Sequence, residues 1–434
     1  MGSNDCNRAE EAYEKWPFAM LLSEDDDEVF ITDSSTEHED TEHKNIPTNE
    51  AVLNLLSGLV GSGLLALPYV ISKGGVLAII ALVLVPFICS YTGKILIECM
   101  YERSYYRRKI RVHSSYREIG EACWPGKAGI LTVTIQIIQL ALSASSCIVL
   151  SASLLSHVLN FLDRSEREWI IIATILALPT VFVRSLAHVS WINILSITTL
   201  FSPIVVITGY GFFNNQPWDF KVLPLWNLEG VPLAISIITH SYVAHGALPV
   251  IEEGMDDKTK FDTMLKVTYV LCAVLRTTFA INGFFSYYGN INEIISNSLP
   301  PGILITVNTL LLIYSLLCYP FAGIALIHTV ETSLFSNYTF VVSDRRWYII
   351  SRISLIVSSL FFALLIPRYA VLIAISGNLK SILGLILPCL FHLKLRAGEL
   401  SIVTIIVDFF ILALGIAIVV IGTVASVFQM IVMY

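Results

Sequence analysis

The chain has 434 residues, of which 55% are hydrophobic and only 14% are charged, and its mean hydropathy is +0.72. Soluble domains carry about 25% charged residues, so this composition excludes a soluble enzyme or binding module and indicates a membrane protein. The net charge of −7 arises in the amino-terminal segment, because the first fifty residues contain fifteen acidic and three basic residues.

The acidic start is predicted to be a disordered cytosolic tail over residues 1–45, followed by a membrane domain over residues 46–434. Stretches such as SEDDDE (23–28) and STEHED (35–40) cannot bury enough apolar surface to order themselves. The stretch AMLLSEDDDE (19–28) resembles an acidic dileucine sorting signal, which predicts sorting adaptors as partners of this tail.

Long apolar runs fill the rest of the chain. Each is about 20 residues or longer, the length that an α-helix needs to cross a hydrocarbon core of about 30 Å. The strands of a transmembrane β-barrel would be about ten residues long, with polar and apolar residues in alternation, whereas these runs are continuously apolar. We predict eleven spans, at 51–72, 76–101, 128–162, 168–187, 190–213, 230–251, 263–289, 301–335, 347–366, 369–392 and 400–430.

The distribution of Lys and Arg orients these spans. With the amino terminus in the cytosol, the loops on that side carry sixteen Lys and Arg residues and the opposite loops carry five. Cytosolic loops are enriched in basic residues, so the carboxyl terminus is predicted to be luminal. The basic segment RSYYRRKIRVH (103–113) is interpreted as a cytosolic loop that contacts membrane lipids, and nucleic-acid binding is not expected.

Two spans are interrupted by residues that disfavour a continuous helix. The first contains SGLVGSGLLALPY (57–69), and the sixth contains HSYVAHGALPVIEEG (240–254). Irregular backbone at membrane depth is tolerated only where it is buried in protein or lines a cavity. The alternative is that the glycines simply allow close helix packing.

The positions of the two breaks indicate a fold. Span one begins the first set of five spans, and span six begins the second set. Broken helices at these equivalent positions are typical of secondary transporters built from inverted repeats. The predicted fold class is therefore an all-α polytopic membrane protein with about 11 transmembrane helices, a five-plus-five inverted repeat and broken helices 1 and 6. The eleventh span lies outside the repeat.

At the first break the sequence resembles the amino acid/auxin permease family of amino-acid transporters. The stretch GSGLLALP (61–68) matches the family pattern G-x-G-x-L-x-L-P, and Ser57 stands where the family usually has asparagine. Further resembling segments include SYREIGEACWP (115–125), HSYVAHGALPVIEEGM (240–255) and CYPFAGIALIHTVETSLF (318–335). Within the family, these segments resemble the branch that loads GABA and glycine into synaptic vesicles.

The resemblance implies an amino-acid substrate and protons as the coupling ion. We expect the amide groups of the glycine run to bind a carboxylate, and the glycines to leave room for the ligand. The expected substrate contacts come from the two interrupted segments: Gly61, Ser62, Gly63, Ser241, Tyr242, Ala244 and His245.

Two residues are candidates for proton coupling. His245 lies at the sixth-span break, and an imidazole titrates within reach of an acidic compartment. The alternative is a neutral histidine that hydrogen-bonds to the backbone. Glu331, near the cytosolic end of span eight, is the second candidate, because ionisable residues inside membranes are often functional; its alternative is a solvated position at the interface. Arg276 and Lys380 also fall within spans, and the sequence assigns them no role.

The sequence contains no zinc-ligand spacing, phosphate-binding loop or nucleophile motif, so we expect neither an enzyme nor an ATP-driven pump and predict no cofactor. The expected function is secondary active transport of a small neutral amino acid, such as GABA or glycine, into an acidic vesicle or vacuole, coupled to the proton electrochemical gradient. The expected location is a vesicle, vacuolar or lysosomal membrane. Two alternatives remain at this point. One is an amino-acid–proton symporter of the plasma or lysosomal membrane, and the other is an amino-acid sensor that does not transport.

Overall fold

The computed structural model describes residues 46–103, 109–182, 186–214, 218–225, 227–335 and 345–432. The predicted acidic tail over residues 1–45, with its sorting signal, lies outside these residues. Helices account for most of the described chain, because each long apolar run satisfies its backbone hydrogen bonds internally.

The first half of the chain contains six α-helices and one small sheet. Helices α1 and α2 flank a short 3₁₀ segment, and a hairpin of strands β1 and β2 joins α2 to α3. The bounds are α1 Thr48–Leu59, 3₁₀ Ser62–Ala66, α2 Leu67–Glu98, β1 Tyr101–Arg103, β2 Lys109–Arg111, α3 Tyr116–Cys123, α4 Ala128–Val158, α5 Glu166–Val181 and α6 Leu186–Asn214. The strands pair antiparallel, with Glu102 opposite Ile110.

The second half again begins with a helix, a 3₁₀ segment and a further helix. The bounds are α7 Val231–Tyr242, 3₁₀ His245–Ala247, α8 Leu248–Glu253, α9 Phe261–Ser286, α10 Pro301–Leu334, α11 Arg345–Leu365, α12 Tyr369–Ser381, a π segment Ile382–Ile386, α13 Leu387–Leu395 and α14 Ile402–Val432. Further 3₁₀ turns occupy Phe220–Val222, Lys258–Lys260 and Ile295–Ser298.

Nine helices within the described residues are long and apolar enough to cross a membrane. One of them, Ser62–Glu98, covers parts of two predicted spans and is interrupted at Gly75, whose φ of 58° and ψ of −139° are not helical. The predicted fourth span corresponds to the shorter helix α5, of 16 residues. The count of eleven spans therefore stays a prediction.

The interrupted helices lie in the middle of the bundle. Helix α2 packs against α7 and α9, and α7 also packs against α12. Close approach of α12 to α7 depends on Gly377, where an added Cβ would lie 1.9 Å from the Ser236 carbonyl oxygen. Helix α14 covers α7 and α12 from outside. This packing positions the two helix breaks next to each other.

Candidate functional site

The first break separates α1 from the 3₁₀ segment that follows it. Helix α1 ends at Leu59, Val60 leaves the helical region with ψ of 87°, and Gly61 is extended at φ −126° and ψ −170°. The chain becomes helical again at Ser62. The last carbonyls of α1 therefore lack partners within their own helix, as do the first N–H groups of the next segment.

The second break, at the end of α7, has a similar backbone geometry. This helix ends at Tyr242, and Val243 is extended with ψ of 115°. Ala244 is also outside the helical region, at φ −127° and ψ 22°, and a 3₁₀ turn begins at His245. The breaks predicted at both segments are thus present in the structure.

The same tripeptide lies after each break, where the chain becomes α-helical again. Ala66-Leu67-Pro68 precedes the rest of α2, and Ala247-Leu248-Pro249 begins α8. Ala66 has φ −92° and ψ −7°, and Ala247 has φ −93° and ψ −16°. Proline is favoured in the first turn of a helix because it needs no hydrogen bond there. The local chemistry of the two breaks is therefore similar, although the inverted repeat itself stays a prediction.

The breaks touch each other at Gly63. A Cβ added to Gly63 would lie 2.7 Å from Ser241 Oγ and 3.5 Å from His240 Cδ2. A contact of 2.7 Å is too short for a Cβ, so a larger residue here would force the Ser241 hydroxyl to turn away or α7 to move back. Gly63 therefore has the close-packing role that the sequence left as an alternative, and it brings Ser241 to the glycine run.

Gly61 is in a different environment. An added Cβ there would meet the Tyr314 hydroxyl at 3.7 Å, which is an ordinary van der Waals distance. The adjacent Ser62 lies beside Tyr369 at the start of α12. Two tyrosines therefore border the glycine run, and both are buried. Sequence reasoning missed them, because tyrosines in apolar spans give no signal of their own.

Arg276 of α9 joins the two breaks from the side. Its Nη2 donates to the Leu59 carbonyl of α1 and its Nη1 donates to the Ser241 carbonyl of α7, and its side chain is 1% exposed. The guanidinium also lies over the Tyr242 ring, 4.7 Å from its centroid. We call this arrangement the guanidinium bridge. A cation is favourable here because both carbonyls belong to the negative, C-terminal ends of helices.

Lys380 of α12 makes a related contact. Its Nζ donates to the His240 carbonyl at 2.9 Å, one residue before the carbonyl that Arg276 binds. The two intramembrane cations that the sequence left without a role thus both bind the C-terminal carbonyls of α7. Among the described residues, no ion pair joins either cation to a carboxylate.

Tyr242 and Ala244 line the second break. The Tyr242 hydroxyl donates to the Leu82 carbonyl at 3.2 Å, and its own carbonyl accepts from Tyr269 at 3.1 Å. These bonds hold the Tyr242 ring inside the bundle, where it lies under the guanidinium. Ala244 is partly buried, and its carbonyl accepts from Ala247 at 3.0 Å.

His245 is fully buried, and it contacts α2 and the π segment. Its Nε2 lies 2.9 Å from Thr92 Oγ1, which also lies 3.0 Å from the Ile88 carbonyl. When Thr92 donates to that carbonyl, it accepts from an Nε2–H. The Nδ1 atom then carries a lone pair, and it has no hydrogen-bond partner within the described chain. Gly384 of the π segment packs against His245 at this break, and a Cβ added to Gly384 would lie 3.2 Å from Nδ1.

Glu331 lies far from the breaks. Its Oε1 accepts from Trp347 Nε1 at 2.7 Å, near the end of α10. Tyr314, which borders Gly61, lies on the same helix as Glu331. These two residues are 17 positions apart, which corresponds to about 25 Å of helix. The structure therefore does not bring Glu331 together with the other predicted site residues.

The predicted cytosolic side of the breaks is covered by the β1–β2 hairpin. Arg111 of β2 lies 3.1 Å from Glu253 and 3.8 Å from the buried Glu252 of α8. The Tyr101 hydroxyl donates to Glu252 as well. Burial is the main cause that raises the pKa of Tyr101, and the hydrogen bond to the Glu252 carboxylate raises it further. The phenol therefore keeps its proton at neutral pH and remains a donor.

The predicted luminal side contains a cavity of about 340 Å³. It lies between the end of α4, the start of α5 and the turn before α12. Its charged lining residues include Arg164, Glu166, Glu293 and Arg368. Arg368 lies 3.7 Å from Glu166 and 3.8 Å from Glu293. The structure thus has an open volume on one side of the breaks and an ion-paired hairpin on the other.

Comparison with known proteins gives a family for this arrangement. A family model described as "Transmembrane amino acid transporter protein" matches residues 44–430. The chain is 30% identical over 361 residues to the human vesicular inhibitory amino acid transporter, covering 80% of this chain and 69% of that protein. It is 30% identical over 365 residues to the Caenorhabditis elegans vesicular GABA transporter, covering 81% and 73%.

Solved structures show the fold. A nucleobase-cation-symport-1 family transporter, in a closed conformation with bromovinylhydantoin bound, matches with a TM-score of 0.51 and 13% identity. The match covers 89% of this chain and 92% of that one. The transporter MhsT in complex with L-phenylalanine matches with a TM-score of 0.50 and 15% identity, covering 87% and 98%. The predicted all-α polytopic membrane fold is thereby confirmed.

Proposed function

Because the chain belongs to the transmembrane amino acid transporter family, we propose that it is a secondary active transporter that moves a small neutral amino acid into an acidic organelle in exchange for protons. The observation that carries this proposal is the contact between the two helix breaks at Gly63 and Ser241. In secondary transporters, substrate sites lie where discontinuous helices meet near the middle of the membrane.

We propose that the substrate occupies the space next to Gly61. The first N–H groups of the 3₁₀ segment at Ser62 have no acceptor within that segment, and such groups favour a carboxylate. The Tyr314 hydroxyl faces Gly61 and supplies an oxygen for the substrate amine. Ser241, whose Oγ lacks a hydrogen-bond partner in the described part of the chain, completes the polar groups at the contact. Tyr242, Ala244 and His245 line the second break.

We propose that alternating access uses the non-helical residues as hinges. Val60–Gly61 and Val243–Ala244 are the points at which each broken helix can bend without losing a helical hydrogen bond. The guanidinium bridge links the half-helices α1 and α7, so that they move together. Entry of substrate from the predicted cytosolic side requires Arg111 to leave Glu252 and Glu253.

Proton coupling is assigned to His245 and Glu331. His245 is supported by its burial at the break and by its Nδ1, which faces Gly384. A second proton on that imidazole would need a new acceptor, so protonation favours a rearrangement of the break. Glu331 is supported only by its half-buried position near the end of a span.

GABA and glycine are the proposed substrates, because relatives that are 30% identical are named for GABA and inhibitory amino acids. The same relatives are named as vesicular transporters, which supports a vesicle membrane as the location. The proposal that the amino terminus is cytosolic depends on the distribution of Lys and Arg along the chain.

Uptake into liposomes tests the proposal. The purified full chain is reconstituted, an inside-acidic pH gradient and an inside-positive potential are imposed, and uptake of labelled GABA, glycine and a panel of neutral amino acids is followed. A protonophore that dissipates the gradient serves as the control.

The outcomes separate the candidates. Gradient-driven uptake of GABA or glycine that the protonophore abolishes supports the proposal. Gradient-driven uptake of other amino acids alone contradicts the proposed substrates. Uptake that is driven only when both gradients are reversed, so that protons move inward, indicates a symporter. Stabilisation by an amino acid without any uptake indicates a sensor.

A further inference from the structure

A second cluster of ionisable groups lies away from the helix breaks, between α2, α13 and α14. Asp408 is the only charged residue in the 31-residue helix α14, and its side chain is fully buried. Burying a carboxylate at membrane depth costs several kcal/mol unless it is paired, so such residues mark functional positions by default. None of the residues in this cluster is among those assigned to the substrate site or to its hinges.

Both oxygens of Asp408 accept hydrogen bonds. The Tyr91 hydroxyl of α2 donates to Oδ1 at 2.6 Å, and His392 Nδ1 of α13 lies 2.7 Å from Oδ2. When His392 donates from Nδ1 to Oδ2, Nε2 is the ring nitrogen that carries the lone pair.

The Nε2 atom faces Glu98, the last residue of α2, whose Oε2 lies 4.0 Å away and whose side chain is 39% exposed. The exposed Glu98, the buried His392 and the buried Asp408 thus lie in a row from the predicted cytosolic surface into the bundle. A carboxylate that orients an imidazole is a common arrangement for proton transfer.

Four further titratable or charged groups of the described chain face this row of residues. They are Lys94, whose Nζ lies 3.9 Å from Glu98 Oε1, Cys99 at the end of α2, and Cys389 and Arg396 from the α13 segment. Arg396 binds the backbone carbonyl of Glu98 at 2.7 Å, and its ion pair is with Glu399. Helix α7 and the π segment contribute apolar side chains, Ile235 and Leu385.

We propose that His392 and Asp408 form a proton-binding dyad, with Glu98 at its mouth, through which the transporter exchanges protons with the predicted cytosolic side. In the step, a proton leaves the Glu98 carboxyl and bonds to His392 Nε2. The dyad then changes from a carboxylate with a neutral imidazole to a carboxylate with an imidazolium, and its net charge rises from −1 to 0. The reverse step returns the proton to Glu98 and the solvent.

The inference rests on the proposed proton coupling, and its test uses variants that keep the packing. Asp408→Asn retains an acceptor for Tyr91 and a polar partner for His392 but removes the charge. His392→Gln removes the proton-binding atom. His113→Gln removes a histidine from the predicted cytosolic loop and serves as the matched control.

Each variant is reconstituted as the full chain and measured in two ways: gradient-driven uptake of labelled GABA or glycine, and counterflow exchange of the same amino acid without any gradient. We expect Asp408→Asn and His392→Gln to lose gradient-driven uptake by about tenfold or more, since proton transfer through the dyad is removed. Counterflow in these variants, and both readouts in the His113→Gln control, should stay within about twofold.

Two results would overturn the dyad. One is equal loss of uptake and counterflow in Asp408→Asn and His392→Gln, which would indicate a structural role. The other is full gradient-driven uptake in both variants. Should the wild type show no gradient-driven uptake, the proposed function fails instead. The dyad is then judged by ¹⁵N-histidine NMR of the solubilised chain, in which the signal lost in His392→Gln must titrate between about pH 5 and 9, and must titrate differently in Asp408→Asn. A signal that does not titrate contradicts the dyad.

Discussion

The guanidinium bridge allows a quantitative prediction. Arg276 donates from two different nitrogens to two carbonyls on two different helices, at a site that is 1% exposed. Lysine keeps the positive charge, but its single ammonium cannot reproduce the planar fork of arginine. Arg276→Lys therefore loses one of the two bonds, and Arg276→Gln loses the charge as well.

The cost follows from the bonds that are lost. A hydrogen bond from a charged donor contributes about 1.5–3 kcal/mol, and a buried carbonyl left unpaired costs a similar amount. Losing one bond changes the equilibrium between the bridged arrangement and all others by about 10- to 150-fold. We expect the thermal midpoint of the purified protein to fall by about 3 °C or more, and gradient-driven uptake to fall about tenfold or more in Arg276→Lys and further in Arg276→Gln.

The assay is a thermal-shift measurement in detergent combined with liposome uptake. Lys266→Gln on the same helix is the matched control, because Lys266 is 63% exposed and its ion pair with Asp262 is a surface contact. Such a pair contributes about 0.2–1 kcal/mol, so this control should remain near wild type. Unchanged uptake and an unchanged midpoint in Arg276→Lys would refute the bridging role.

Four further predictions follow from the same site. Gly63→Ala should destabilise the protein and reduce uptake, because its Cβ would lie 2.7 Å from Ser241 Oγ; adding Ser241→Ala should restore part of the thermal midpoint, and no restoration would contradict the contact. Gly61→Ala should keep the midpoint but raise the KM for the amino acid, because the added methyl group would lie at ordinary contact distance from Tyr314 and would compete with substrate; an unchanged KM would place the substrate elsewhere. Replacing sodium by choline should leave uptake within about twofold, because a guanidinium already occupies the C-terminal carbonyls that would otherwise attract a cation; a strict sodium requirement would argue against this. His245→Ala should weaken the dependence of uptake on the pH gradient, and full coupling in this variant would remove the assignment.

Some of this arrangement can be predicted from sequence. Glycines and prolines inside long apolar runs indicate helix breaks, because unpaired backbone groups at membrane depth require a structural or functional reason. The breaks at Gly61 and Ala244 follow from that reasoning, and the family resemblance follows from the residues around them. The shared Ala-Leu-Pro tripeptide at both breaks is a further signal that is visible in the sequence.

The role of each glycine could not be predicted in this way. Gly61 and Gly63 are equivalent in the sequence pattern, yet one faces a tyrosine hydroxyl with room for a methyl group and the other packs against Ser241. The difference depends on the position of α7, which local sequence does not determine. For the same reason, the sequence marked Arg276 as an unusual intramembrane cation but could not identify its carbonyl partners.

The cluster around Asp408 shows a second limit. Tyr91 and Asp408 are 317 positions apart, and only the packing of the last helix against α2 and α13 brings them together. A single carboxylate in a very apolar span was the available signal, because such a residue must find a partner. The partner itself could not be named from the sequence.

A structure with substrate bound would show whether the amino acid binds between the two helix breaks. The full chain is prepared with saturating GABA and, separately, with glycine, and its structure is determined by cryo-electron microscopy. We predict that the ligand lies beside Gly61, with its carboxylate within hydrogen-bond distance of the amide groups at Ser62 and Gly63. A ligand found only in the cavity between α4, α5 and α12, with the space beside Gly61 filled by protein, would contradict it.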